Sequence, residues 1–311
     1  MRNLLHCSGL SLMDVFSLFP DDKAAEEWFI QQRWPTGVCC PHCGSMNVQS
    51  SAAHKTMPFG CREYKHCGKR FSVRTGTVMQ SSKLGYQVWL IAMYLLSTNL
   101  KSVSSMKLHR DLNITQKSAW HLAHRLRQVA LSTREPFSGP VEVDETYVGG
   151  LRKNMHASQR KDLTGRGATG KTAVVGVKDR DSNQVRVKVV EKTDAETLHG
   201  FVADNVDPDA KVYTDDARAY NGLPFDHEKV QHSVAEYVNG QVHTNGIETF
   251  WSMLKRAHKG TFHKISPKHL HRYAGEFAER HNVRKLDTLE QMGIMAQGMV
   301  GRRLKYEELV A

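Results

Sequence analysis

No run of this 311-residue chain is apolar enough to cross a bilayer; the strongest, Val88 to Leu96, falls well short of the roughly 18 residues a spanning helix needs. Nothing at the N-terminus has the order of a signal peptide, so a cytoplasmic protein with no membrane partner is expected. Internal repeats and low-complexity tracts are missing, which argues against collagen-like and disordered chains. Acid is short relative to base: 43 Lys and Arg stand against 32 Asp and Glu, for a net charge of +11. That excess favours an anionic polymer as partner, although charge alone does not separate nucleic acid from anionic lipid. Cysteine is scarce as well, with six in the chain. Cys7 stands apart, whereas Cys40, Cys43, Cys61 and Cys67 crowd together as in a metal site of a reducing compartment.

The hydrophobic fraction of 40% is ordinary, and the length suggests about two domains. Residues 12–33 read as a helical lead-in broken at Pro20. Residues 34–76 change to Cys, Gly, His and Lys, a small domain that cannot build a core without a staple. Residues 83–131 read as three helices in a helix-turn-helix-like arrangement, with a turn at Asn113. The third helix carries Gln116, Lys117, His121, His124 and Arg125 on its polar side, as a DNA-recognition helix would; a plain helical linker is the alternative. After the polar joint at 132–140 the periodicity turns from helix to strand. Residues 140–285 read as a mixed α/β domain. Strands are expected at Val141 to Val148, Thr172 to Lys178, Gln184 to Val190 and Lys211 to Thr214, and helices at Ala195 to Ala203, Gly246 to Ala257 and Pro267 to His281. Residues 286–311 are left as a C-terminal tail.

CPHCG at Cys40 and Cys43 is a metal knuckle whose glycine relieves the turn. Cys61 and Cys67 supply the other half, and four thiolates around Zn²⁺ make a structural ribbon. The second half is irregular, because five residues separate its cysteines, so His66 or Cys39 remains open as a replacement ligand. Phe59 and Phe71 are expected to cover the ribbon core, and Lys65, Lys69, Arg70 and Arg74 to make its surface basic.

Acids recur where strands end. In Val141-Glu142-Val143-Asp144, alternation puts Glu142 and Asp144 on one face and Glu145 on the Val143 face, so Asp144 is the preferred ligand. Asp215 closes the strand that begins at Lys211, while Asp216 suits a cap for the next helix. In the helix near Gly246 to Ala257, Ile247, Phe250, Trp251 and Leu254 form the apolar stripe. Glu248 and Lys255 lie seven residues apart, nearly in line on another face. Hard carboxylate oxygens in this pattern suit two Mg²⁺ or Mn²⁺ ions and phosphoryl transfer. A zinc-hydrolase reading of His232, His243, His258 and His263 finds no ligand spacing.

VEVDETYVGG, VYTDDARAY and HTNGIETFWSMLKRAHKGTF, together with CPHCG and FSVRTGTVMQSSK, resemble the insertion-sequence transposases of the DDE type that carry an N-terminal zinc ribbon, the ISXO2-like transposase domain family. The resemblance covers roughly residues 20–285. It implies a ribonuclease-H-like catalytic core preceded by the ribbon and the helical segment. Asp144, Asp215 and Glu248 would be the catalytic, metal-holding triad, with Asn245 as the alternative third residue. Lys255 would contact DNA, and Arg256 and Lys259 would extend that basic track. Arg152 and Lys153, with Lys161 and Arg166, would form a basic clamp on the backbone.

The activity implied is metal-dependent cleavage and strand transfer at the ends of an insertion sequence. The partners would be double-stranded DNA, as terminal inverted repeats and as target, and further copies of this chain in a homo-oligomer. The setting would be the nucleoid of a prokaryotic cytoplasm. A ribonuclease-H-fold nuclease without strand joining and a non-catalytic zinc-ribbon DNA-binding regulator are the rival readings.

Overall fold

The computed structural model describes residues 9–50, 54–129, 135–150, 155–158, 169–230 and 243–311. The chain divides into two compact units, one of residues 1–132 with 285–311 and one of residues 133–284.

The first unit opens with α1 (Leu12–Leu18) and α2 (Asp22–Arg33), separated at Pro20. Ser11 and Asp14 form a capping box on α1, and Asp21 caps α2, so each helix starts where a side chain satisfies its first amides. The ribbon is a three-stranded antiparallel sheet of β1 (Val48–Ser50), β2 (Phe59–Cys61) and β3 (Arg70–Phe71), in that order. Phe59 and Phe71 stack at 5.6 Å between ring centres, with Trp34 edge-on to both. Next come α3 (Tyr86–Thr98), α4 (Ser105–Asp111) and α5 (Gln116–Val129). Most of α3 is apolar and buried, Trp89, Leu90, Ala92 and Met93 being wholly enclosed, as a helix without a polar face must be. Asn113, between α4 and α5, takes a left-handed φ of 49° that asparagine tolerates.

The second unit is built on a five-stranded mixed sheet of β4 (Val141–Val148), β5 (Thr172–Asp179), β6 (Val185–Val190), β7 (Lys211–Asp215) and β8 (Asp226–Val230). The strand order is β6-β5-β4-β7-β8; the first three run antiparallel, and β7 and β8 run parallel to β4. The crossover from β6 to β7 carries α6 (Ala195–Asn205), which packs Leu198, Phe201 and Val202 with Val141 and Val143 on one face. On the other face, α7 (Asn245–Ala257) and α8 (Pro267–Val283) pack Ile247, Phe250, Trp251, Leu254 and Phe277 with Val148 and Val174. Helices on both faces of a mixed sheet in this order are consistent with a ribonuclease-H-like core. The strand β8 has no counterpart among the expected strands: its DHEKV text is too charged to read as a strand, and it takes its place through backbone pairing at the sheet edge.

Residues 286–311, set apart as a tail in the sequence, are packed structure. They contain α9 (Thr288–Gln297), which opens with an Asp287–Glu290 capping box, and α10 (Tyr306–Val310). Met292, Ala296 and Met299 enter the core of the first unit, and Leu309 is wholly buried.

Gly176 on β5 faces the Trp251 ring so closely that an added Cβ would stand 2.7 Å from two of its carbons. Gly176→Ala should therefore destabilise the second unit by about 1–3 kcal/mol through overpacking. A urea unfolding midpoint equal to the parent's would show that the ring has room to move.

Candidate active site and metal centre

The four sulfurs of Cys40, Cys43, Cys61 and Cys67 all lie within 4.8 Å of one another. Cys40 and Cys67 are 3.7 Å apart and Cys43 and Cys61 3.6 Å. Those distances exclude disulfides and match the edge of a tetrahedron of about 3.8 Å expected for Zn–S bonds of about 2.3 Å. The donor set thus fits structural Zn²⁺, and Cys39 and His66 are not part of it. The long Cys61–Cys67 spacing has a local cause. The Glu63 carbonyl gathers the amides of His66, Cys67 and Gly68, wrapping the extra residues into one turn that Gly68 closes at φ 59°.

In the second unit, β4 pairs in parallel with β7 through Val141 with Val212 and Glu142 with Tyr213. Continuing that register by two residues sets Asp144 beside Asp215, on strands about 4.8 Å apart. Alternation puts both on the face that also carries Glu142 and Tyr213. Asp144 Oδ1 accepts the Glu145 amide at 2.8 Å, and Oδ2 accepts the Trp251 indole N–H at 3.0 Å. Burial, with the negative charges of Glu145, Asp215 and Glu248 added to it, pushes the Asp144 carboxyl up to about 7. Glu248 is exposed on the first turn of α7, where its Oε1 accepts the Thr244 hydroxyl at 3.0 Å. The acids are the looser cluster: among the described residues, only the cysteines bring three or more ligand atoms as close as 4.8 Å.

Glu145 points to the other face. Its carboxylate accepts the Tyr220 hydroxyl at 2.7 Å, and burial pushes it upward. Asp216 is exposed and is not the cap it resembled; Asp215 Oδ1 accepts the Ala217 amide at 3.1 Å. Asn245 is exposed at the start of α7, and its carbonyl accepts the Thr249 hydroxyl.

Sequence reasoning missed a clamp beneath the acids. Glu142 is 1% exposed; its Oε1 accepts Arg180 Nε at 2.9 Å and its Oε2 the Ile247 amide of α7 at 2.9 Å. Arg180 also donates to the His243 carbonyl at 2.6 Å and stacks on Tyr213. This buried ion pair ties the start of α7 to β4, two residues before Asp144, and so fixes where Glu248 and Trp251 stand. The signal available in the sequence was a glutamate flanked by valines in a buried strand.

The basic residues fall into three groups. Lys255 and Arg256 are exposed in the last turn of α7, and Lys259 is exposed in the π turn of residues 258–262 that comes next. On α5 the expected recognition face is partly engaged by the chain itself. Arg125 is 9% exposed and donates to the Leu304 carbonyl at 3.1 Å, and His121 Nε2 stands 3.1 Å from the same oxygen. Both are committed to the C-terminal segment, while Lys117 stays exposed with its ammonium over the Tyr306 ring. His124 is wholly buried. Arg152, Lys153, Lys161 and Arg166 lie outside the described residues. No helix among the described residues is long and apolar enough to cross a membrane.

A mixed α/β domain with clustered carboxylates, in one chain with a four-cysteine ribbon, defines a two-part protein class, and comparison with known proteins identifies both parts. Residues 136–282 match the ISXO2-like transposase domain, and residues 20–70 match the transposase zinc-ribbon domain. An uncharacterized protein in transposable element ISH50 of Halobacterium salinarum is 29% identical over 281 residues, covering 85% of this chain and 92% of that protein. An uncharacterized transposase-like protein of Haemophilus influenzae is 31% identical over 121 residues, 38% of this chain and 95% of its own. The chain belongs to the ISXO2-like family of DDE transposases with an N-terminal zinc ribbon.

Both centres have measurable consequences. Cys61→Ser, or stripping of zinc, should raise amide exchange at Phe59–Cys61 on the order of 100-fold, because strands this short depend on the staple; unchanged protection there would show a ribbon that stands without metal. Asp144 has a folded pKa of about 7, above its ordinary 3.8. Its contribution to stability is therefore complete below about pH 4 and is lost as pH rises through about 7. Without divalent cations, Asp144→Asn should stabilise the second unit at about pH 8 by up to about 4 kcal/mol and flatten that pH dependence. Parallel stability curves for parent and variant would contradict the assignment.

Proposed function

We propose that this protein cleaves DNA strands at the ends of an insertion sequence and joins the freed 3′-hydroxyls to target DNA, using Asp144, Asp215 and Glu248. The observation that carries this reading is that β4, β7 and α7 bring Asp144, Asp215 and Glu248 together at a place where burial first, and then the charges of Glu145, Asp215 and Glu248, push the Asp144 carboxyl up to about 7. Like charges held this close are stable together only when protons or cations offset them. The hard oxygen donor set fits Mg²⁺ or Mn²⁺; two such ions would be held by the three carboxylates and would supply activation of the attacking oxygen and stabilisation of the leaving one.

The remaining residues orient and bind. The Trp251 N–H and the Glu145 amide fix the plane of the Asp144 carboxylate, and Thr244 steadies Glu248. Lys255, about two turns beyond Glu248 along α7, is placed to meet a backbone phosphate, with Arg256 and Lys259 continuing the line. Glu248 rather than Asn245 is the third residue in this reading, because an anionic carboxylate is the stronger oxygen ligand for Mg²⁺ or Mn²⁺. The terminal inverted repeats are taken up by the first unit. Bringing two element ends to one target suits a homo-oligomer, as the resemblance implies.

The decisive assay combines purified protein, labelled element ends, a target plasmid and Mg²⁺, run beside Asp215→Asn. Strand joining by the parent, with retained binding but at least about a 1000-fold loss of chemistry in the variant, is the expected result. Cutting without joining would make the protein a nuclease of the same fold. Binding without any cutting would make it a regulator.

A further inference from the structure

Two grooves in the first unit border one turn. The smaller, about 470 Å³, lies between Gln80–Leu84, α5 and residues 303–307; Lys83, Arg125, Arg303 and Lys305 line it against one acid, Glu307. The larger, about 1050 Å³, lies on the other side of the same turn and takes Lys55, Lys69 and Arg70 from the ribbon. Its acids are Asp22, which accepts the Gln87 amide, and Glu26.

The turn between the grooves is rigid. Ser81 holds a left-handed φ of 62°, the Ser82 hydroxyl accepts both the Leu84 amide and the Trp89 indole N–H, and Arg74 donates to the Ser82 carbonyl at 2.8 Å. Lys83 is left exposed on this ridge. On the far wall, the Arg125 guanidinium is fixed by the Leu304 carbonyl, and Arg303 and Lys305, the exposed neighbours of buried Leu304, stand at the rim. Burial and the nearby Arg303 charge both pull Arg125 below its ordinary pKa. Two guanidiniums in one wall repel each other, and an anion between them would relieve that repulsion.

A ridge bearing an exposed lysine, with a basic groove on each side, offers a continuous run of cations to one phosphodiester backbone. We propose that the two grooves form a single phosphodiester track for double-stranded DNA, running from the ribbon over the Gln80–Leu84 turn to Arg303 and Lys305. The C-terminal segment is thereby part of the DNA-binding face: it packs on the side of α5 expected to read DNA and adds its own cations beside Arg125. This rests on the strand-transfer reading only for the identity of the polyanion.

The test is fluorescence anisotropy of the full-length, zinc-loaded chain with a labelled random-sequence duplex, in buffer without Mg²⁺, as a function of salt. Lys69→Ala and Arg303→Ala sample one groove each. Each should lower the log–log salt slope by about 0.9 and weaken binding about tenfold near 0.1 M salt, and together they should lower the slope by about 1.8. Arg303→Lys should restore the parent slope, and Lys101→Ala, at an exposed lysine lining neither groove, should leave it unchanged. Parent-like slopes for both groove variants, or an equal loss in Lys101→Ala, overturn the proposal while leaving the catalytic reading untouched. A parent chain that binds no duplex overturns both. Groove-dependent duplex binding by a parent that joins no strands supports the track and sinks the strand-transfer reading alone.

Discussion

Burial of a carboxylate with other acids held near it is the constraint on which the site of the second unit depends. Asp144 is not left as an ordinary surface acid. Instead the parallel pairing of β4 with β7 brings Asp215 alongside, and α7 adds Glu248 from above. The apolar contacts of Trp251 and Ile247 hold α7 down, while Glu142 and Arg180 pin its first turn. Gly176 leaves space that the Trp251 ring fills, and the indole N–H of that ring reaches Asp144. A glycine, a tryptophan and a buried ion pair, none of them titrating in the proposed reaction, thus determine the environment of the one carboxyl that does.

The first unit meets a different constraint. Its ribbon strands are two or three residues long and too short to hold together by pairing alone, so four sulfurs at tetrahedral spacing and a small aromatic stack of Trp34, Phe59 and Phe71 take over. The helices around α3 are conventional in comparison, each started by a side-chain cap or a turn residue and buried along an apolar side. Its core also recruits α9 from beyond residue 285, so this unit is discontinuous in sequence.

Much of this was legible beforehand because it is written locally. The alternation in VEVDETYV gives β4 and sorts Glu142 and Asp144 from Glu145; the stripe Ile247, Phe250, Trp251 and Leu254 gives α7; CPHCG announces a metal. The features that were not legible are those fixed by distant partners. His121 and Arg125 look like the free polar side of a recognition helix until the Leu304 carbonyl, 179 residues beyond Arg125, is found against them. The strand β8 is charged along its length and forms only because β7 offers it a free edge. The fourth sulfur ligand was uncertain because a spacing rule cannot see that the Glu63 carbonyl collects three amides and takes up the extra chain.

In the proposed reaction Asp144, Asp215 and Glu248 act as one cation site, with Asp144 titrating near neutrality. Mn²⁺ binding, monitored by the loss of the free-ion paramagnetic resonance signal in the zinc-loaded chain across pH, tests it most directly. Binding should weaken as pH falls through about 7, and Asp144→Asn and Glu248→Gln should each reduce it by at least about tenfold. Mn²⁺ binding that is insensitive to both substitutions and flat across that pH range would contradict it.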